Sequence, residues 1–169
     1  MRGAPLLARA ALLLVPALLA CDDPASVKGG KLRPADFAGE SGMRLTFAPV
    51  DALDDPPLLV TLRDASWEAR VGEPWDTASP LATWTVALGT KLVVDDTTLL
   101  PADLPEPGEV ETRYGTFADT VTITVKEGTF AGRWAFAQGI GPVVTTLDGT
   151  ERECVYYERE VEEDEEPAP

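Results

Sequence analysis

Histidine and asparagine are both missing from this chain of 169 residues. Without histidine there is no side chain that titrates near neutral pH, no Ser-His triad and none of the commonest metal ligand. Without asparagine there is no glycosylation acceptor of the N-x-S/T kind. Cysteine is nearly absent, with only Cys21 and Cys154. Basic residues are scarce as well: 14 Lys and Arg stand against 29 Asp and Glu, a formal net charge of −15. Such a surface repels phosphate backbones and excludes nucleic acid as a partner. Long apolar runs are also lacking. The best, from Ala10 to Leu19, is half of the roughly 20 residues that a membrane-spanning helix needs, and Pro16 interrupts it.

That short run has a different meaning. Arg2 and Arg9 supply a positive start, Ala10 to Leu19 an apolar stretch, and Ala20 a small residue at a cleavage point. Residues 1–20 therefore read as a cleaved secretory signal. Its end, Leu18-Leu19-Ala20-Cys21, resembles the lipobox of bacterial lipoproteins, with Leu19 a less usual but permitted choice. The resemblance implies cleavage between Ala20 and Cys21, a thioether-linked diacylglycerol on Cys21, and acylation of the new amino group. Each acyl CH₂ buried in lipid contributes roughly 0.8 kcal/mol, and two or three chains make a durable tether. The expected partner is thus a membrane, reached through lipid on Cys21, in a Gram-negative cell envelope and facing the periplasm or the cell exterior. The competing readings are an ordinary signal peptide and a retained transmembrane helix, the latter opposed by Asp22, Asp23 and Pro16. Asp22 resembles the inner-membrane retention signal of enteric lipoproteins. That rule does not transfer between bacterial groups, so inner and outer membrane both stay open.

Removing residues 1–20 deletes two arginines and no acids, leaving 12 − 29 = −17. With Cys21 lipidated, Cys154 stands alone and no internal disulfide forms. Flanked by Val155 and Tyr156 in a strand pattern, Cys154 reads as a small buried apolar group rather than a nucleophile.

Residues 21–41 hold Pro, Gly, Ala and charge without hydrophobic period, the signature of a lipidated flexible tether. Lys28, Lys31 and Arg33 lie there, within reach of anionic headgroups, although a solvated linker is the favoured reading. From Met43 onward a two-residue alternation takes over. It predicts strands near Met43–Phe47, Leu58–Arg63, Ala65–Val71, Thr83–Leu88 and Lys91–Val94. The proline-bearing segment 95–108 reads as a loop. Further strands follow at Val110–Tyr114, Thr120–Val125, Thr129–Ala137, Val143–Leu147 and Thr150–Glu158, the last two joined at Asp148-Gly149. No helical period and no repeat appear after residue 20. The expectation is one all-β domain over residues 42–158, a mostly antiparallel curved sheet or sandwich of about eight or nine strands. Residues 159–169, dense in Glu, read as a disordered acidic tail.

Gly139-Ile140-Gly141 is not a nucleotide-binding loop, because it lies between strands and lacks the third glycine. The run Trp134-Ala135-Phe136-Ala137-Gln138-Gly139-Ile140-Gly141-Pro142-Val143, with Gly128-Thr129-Phe130 before it, resembles the terminal hairpin of many uncharacterised bacterial lipoproteins. About 50 C-terminal residues share it, and Val144 departs from the usual basic residue. The resemblance implies a β-sheet envelope protein and carries no catalytic position. Asp51/Asp54/Asp55 and Asp95/Asp96 lack the spacing of a calcium loop, and Glu109/Glu111 is a pair that chance readily supplies. Neither metal nor cofactor is expected, and no catalytic residue. Trp67, Trp75, Trp84 and Trp134, with Phe130 and Phe136, are either the core or the lining of an apolar cavity. On the cavity reading, Trp67, Trp84, Trp134 and Phe136 would hold a hydrophobic ligand. Two functions follow: a non-enzymatic, lipid-anchored envelope protein with a structural or protein-contact role, and a carrier or sensor of a hydrophobic ligand. A carrier needs an apolar cavity of at least roughly 300 Å³, whereas an interaction module is solidly packed.

Overall fold

Alternation of β-branched and aromatic residues with polar ones gives most strands one apolar face, which must be covered, while Leu58–Leu62 and Gly141–Leu147 are buried at every position. The computed structural model of the protein describes residues 31–160 except 52–53 and 73–76. The signal segment, Cys21, Trp75 and the residues expected as an acidic tail after Glu160 lie outside the described residues. Within them, eleven strands form a single antiparallel sheet: β1 (Met43–Pro49), β2 (Leu58–Leu62), β3 (Ser66–Val71), β4 (Ser79–Leu88), β5 (Leu92–Val94), β6 (Thr97–Leu100), β7 (Gly108–Glu111), β8 (Thr116–Val125), β9 (Gly132–Ala137), β10 (Gly141–Leu147) and β11 (Thr150–Arg159). Their order is β6-β5-β4-β3-β2-β1-β11-β10-β9-β8-β7. Two meanders, β1 to β6 and β7 to β11, are thus joined by the pairing of β1 with β11. Met43 lies opposite Arg159 and Pro49 opposite Arg152.

The sheet is all-β and curled, as the alternation predicts, but it holds eleven strands rather than eight or nine. Each of the ten segments picked out by alternation overlaps a strand, and the eleventh strand is β6, inside the segment read as a loop. Asp95 and Asp96 adopt φ of 43° and 65°, the left-handed pair that a two-residue hairpin turn requires. The turn sends Leu99 and Leu100 back along β5, where both are fully buried. Proline density hid this strand, yet Pro101 lies just past its end.

The curl brings distant strands together. β6 approaches β8, and the turn after β7 reaches β1 and β11, although β9 and β10 lie between β8 and β11. There the Arg113 guanidinium donates to the Val50 carbonyl at 2.6 Å, and the rings of Tyr114 and Tyr157 are 5.0 Å apart. One apolar cluster fills the concave side, with Leu45, Phe47, Trp67, Leu92, Val121 and Phe136 at its centre.

The expected boundaries at residues 42 and 158 are too narrow. Pro34–Asp36 form a 3-10 turn, and the following Phe37 is fully buried in the core. The Gly139 amide donates to the Asp36 carbonyl at 2.9 Å. Gly39, at φ +79°, lies so close to Leu62 and Ile140 that a Cβ there would sit 2.4 Å from Leu62 Cδ1. At the other end Glu160 belongs to the domain: its amide donates to the Gly42 carbonyl at 2.7 Å, and its carboxylate accepts from Arg44 and Arg63. Arg159 pairs with Glu40 beside them. The sequence hides these segments because a single aromatic in a polar stretch has no period, and one Glu among many has no contrast.

Phe37→Ala should lower unfolding free energy by about 3–5 kcal/mol, the range for emptying a buried aromatic site. A chain starting at residue 42 should lose at least as much in urea titration. Unchanged midpoints for both would refute the assignment of residues 33–41 to the folded unit.

Candidate functional site

The aromatic interior is the first place to look. β3 and β4 pair Trp67 directly with Trp84, while β9 carries Trp134 and Phe136 two positions apart on one face. Phe130 bridges them, with its ring 5.5 Å from Trp84 and 5.8 Å from Trp134, both edge-on. Trp134 stacks on Phe136 at 5.9 Å, and its indole N–H donates to the Phe130 carbonyl at 2.8 Å. These are the favoured geometries of packed aromatic pairs, with the polar edge of Trp134 satisfied. The space left between Phe47, Leu58, Val60, Trp67, Trp84 and Trp134 is about 10 Å³. That is about the lower limit for one water molecule and far short of a ligand cavity. Trp67, Trp84, Trp134 and Phe136 all belong to the one core cluster, with no ligand-sized space between them.

A second concavity of about 290 Å³ lies between β4 and β5, lined by Thr85, Ala87, Val93, Asp95 and Asp96. Its acids have structural work. Asp95 Oδ1 accepts from the Thr85 amide at 2.6 Å, and the Asp95 amide donates to the Thr85 carbonyl at 3.0 Å. Asp95 thereby extends the β4–β5 ladder by one rung. Asp51, Asp54 and Asp55 are exposed in the β1–β2 connection, and Glu109 and Glu111 are exposed on β7. Among the described residues, no three Cys, Asp or Glu side chains come together as metal ligands.

No protein-family model, curated protein or solved structure matches this chain. The candidate site therefore rests on the chemistry of its own residues.

Two polar clusters were invisible to sequence patterning. At the ends of β1, β2 and β11, Glu160 accepts from Arg44 Nη2 at 2.5 Å and from Arg63 Nη1 at 2.6 Å. The Arg63 hydrogen bond, with help from Arg44, holds the Glu160 carboxyl below the usual range and raises Arg63 in return. Glu160 keeps 27% of its side-chain exposure, so solvent screens the pair and its contribution is modest. The other cluster is a cross-strand pair on β10 and β11. Arg152 lies opposite Thr145, and its Nη1 donates to the carbonyls of Leu147 and Thr150. Arg152 Nε and Thr145 Oγ1 are buried without a hydrogen-bond partner. Burial lowers the Arg152 pKa, against the pull of Asp55 and Asp148. This is an internal cost, since a desolvated cation bonded only to carbonyls lacks full compensation.

Cys154 is a free, fully buried thiol. Its Sγ lies 3.4 Å from the Tyr156 carbonyl oxygen, and burial pushes its pKa up to about 12. Nucleophilic sulfur chemistry needs the thiolate, and this environment withholds it.

Two measurements check these environments. A thiol reagent at pH 8 should leave Cys154 unmodified in the native protein and react with it on unfolding; rapid native modification would contradict its burial. Glu160→Gln should lower the melting temperature at neutral pH by a few degrees at most. Because the folded pKa of Glu160 is depressed, its stabilisation exists above the unfolded glutamate pKa and is lost as pH falls through the folded value. The gap between variant and wild type should therefore close on acidification. A gap unchanged with pH would remove the ion pair from the account.

Proposed function

We propose that this protein is a lipid-anchored component of a Gram-negative cell envelope, whose β domain works through contacts with other envelope macromolecules and not through catalysis or carriage. The anchor rests on Leu18-Leu19-Ala20-Cys21 and the charge and apolar pattern before it. Against carriage stands one observation above the rest: the aromatic interior has about 10 Å³ free. Against catalysis stand the absence of histidine and the withheld thiolate of Cys154. A formal mature charge of −17, from 12 − 29, keeps such a domain soluble beside a membrane and clear of non-specific adhesion. What the domain presents outward is acidic loops and largely polar strand faces, with Leu81, Leu88, Tyr114 and Tyr156 exposed among them, which suits recognition by a partner surface.

Labelled palmitate fed to the native host should appear in the full-length protein and vanish in Cys21→Ala. The wild-type protein should also sediment with membranes and the variant should not. Retained label in the variant, or an unlabelled wild type, would refute the anchor. A small molecule retained stoichiometrically in native mass spectrometry of the full chain would restore carriage.

A further inference from the structure

Arg152 starts on the concave face of the sheet and is poorly served there. Its cross-strand neighbour Thr145 lines the space beside Trp67 and Trp134, and side chains paired across antiparallel strands share a face. Cys154, two residues along β11, is fully buried on that same side, opposite Phe47. A guanidinium is rich in N–H donors. Here Nη1 donates to the Leu147 carbonyl at 3.4 Å and the Thr150 carbonyl at 3.2 Å, both longer than the usual N–H···O distance of about 2.9–3.0 Å. Nε is buried without a partner, and so is the Thr145 hydroxyl opposite. A buried donor left in this state is destabilising, the more so when it is charged. Two better acceptors stand nearby. Asp148 belongs to the turn that Arg152 bridges, and Asp55 lies in the β1–β2 connection; both are exposed and both act on the guanidinium through their charge. Arg152 donates to neither.

From this geometry we infer that Arg152 is a two-position clasp on the β10–β11 turn. The inward position, the one in the structure, ties together the carbonyls on either side of Asp148-Gly149 and leaves Nε unpaired. In the outward position the guanidinium quits the concave face, Nε regains water, Asp55 and Asp148 accept its donors, and the turn loses its tie. Each position supplies what the other lacks, so the two lie close in free energy. The inward one keeps the arginine stem packed and the turn bridged, but strands a charged donor. The outward one lets water and carboxylates satisfy the donors, but empties the place beside Thr145 and Leu147. Rotation of the side chain's own torsions carries the guanidinium between them, with no strand displaced. Any ligand that prefers one position shifts the balance. The clasp is therefore a device by which binding at this end of the sheet tightens or frees the hairpin turn. It stands whether or not Cys21 carries lipid.

The test is hydrogen exchange at the arginine Nε–H groups of the full chain, followed by NMR at pH 6. The Arg152 signal is identified by its loss in Arg152→Lys, and Arg133, which pairs with Glu151, is the control. Replacing both acids, Asp55→Asn with Asp148→Asn, removes the outward partners and should slow exchange at Arg152 at least threefold, with Arg133 unchanged. Exchange at Arg152 untouched by the double variant would overturn the clasp; that is the outcome if a bound water bridges Nε to Thr145. A matching change at Arg133 would report opening of the whole sheet and would overturn it too. Arg152→Met should melt no more than about 3 °C below the wild type, because an apolar stem replaces a desolvated charge. A larger fall would show the inward position to be fully compensated, and the clasp would have no reason to open.

Discussion

A sheet with one apolar face must hide that face, and among the described residues no α-helix is present to hide it. The sheet therefore covers itself. Everything else in the domain follows from that constraint. Curling brings β6 toward β8 and carries the turn after β7 across to β1 and β11, so Tyr114, Phe117 and Tyr157 meet over the concave side. Bulges supply the bending. The register shifts between Thr46 and Phe47, between Ala69 and Arg70, and between Pro142 and Val144, and extra residues at such points tighten the local twist. Phe37 completes the cover from outside the sheet. Its segment fits only because Gly39 and Gly141 let two backbones touch.

Self-covering leaves little room inside. Trp67, Trp84 and Trp134 are large enough to fill the curvature that eleven strands produce, and the edge-to-face contacts of Trp84 and Trp134 with Phe130 fix the packing, leaving about 10 Å³. The proposed function accordingly rests on the domain's surface. Ion pairs join Arg44 and Arg63 to Glu160, and Arg159 to Glu40, where the segment before β1 meets the end of β11. Screening makes each ion pair weak in isolation, but with the Glu160 amide bonded to the Gly42 carbonyl they hold residue 42 beside residue 160.

The sequence announces the class of this fold plainly and its limits poorly. Alternation in Met43–Phe47, Ser66–Val71 and Val121–Val125 reports a local rule, the two-residue period of a pleated strand, and those strands stand where alternation put them. The hairpin at Asp148-Gly149 is equally local, with both residues at positive φ. What alternation misses is whatever depends on distant partners. Thr97–Leu100 looks like loop until the Asp95-Asp96 turn folds it against Leu92. Phe37 looks like linker until the ends of β2 and β9 are there to receive it. Glu160 is one acid among many until two arginines from β1 and the β2–β3 turn converge on it. The aromatics illustrate the same limit from the other side: their burial was legible in the strand pattern, but the volume between them is a property of curvature, which no single strand encodes.

The pairing of the first strand with the last governs timing. β1 cannot gain its β11 neighbour until residue 159 has been made, and this seam runs through the middle of the sheet. Each half alone is a meander with one raw edge and an uncovered apolar face. A chain growing from its amino end therefore has no stable partial solution, and its contacts are mostly distant in sequence, which slows closure. For the exported protein proposed above this delay would be useful, because only an unfolded chain can be threaded through a narrow pore. The topology thus keeps the protein soft until its final strand arrives.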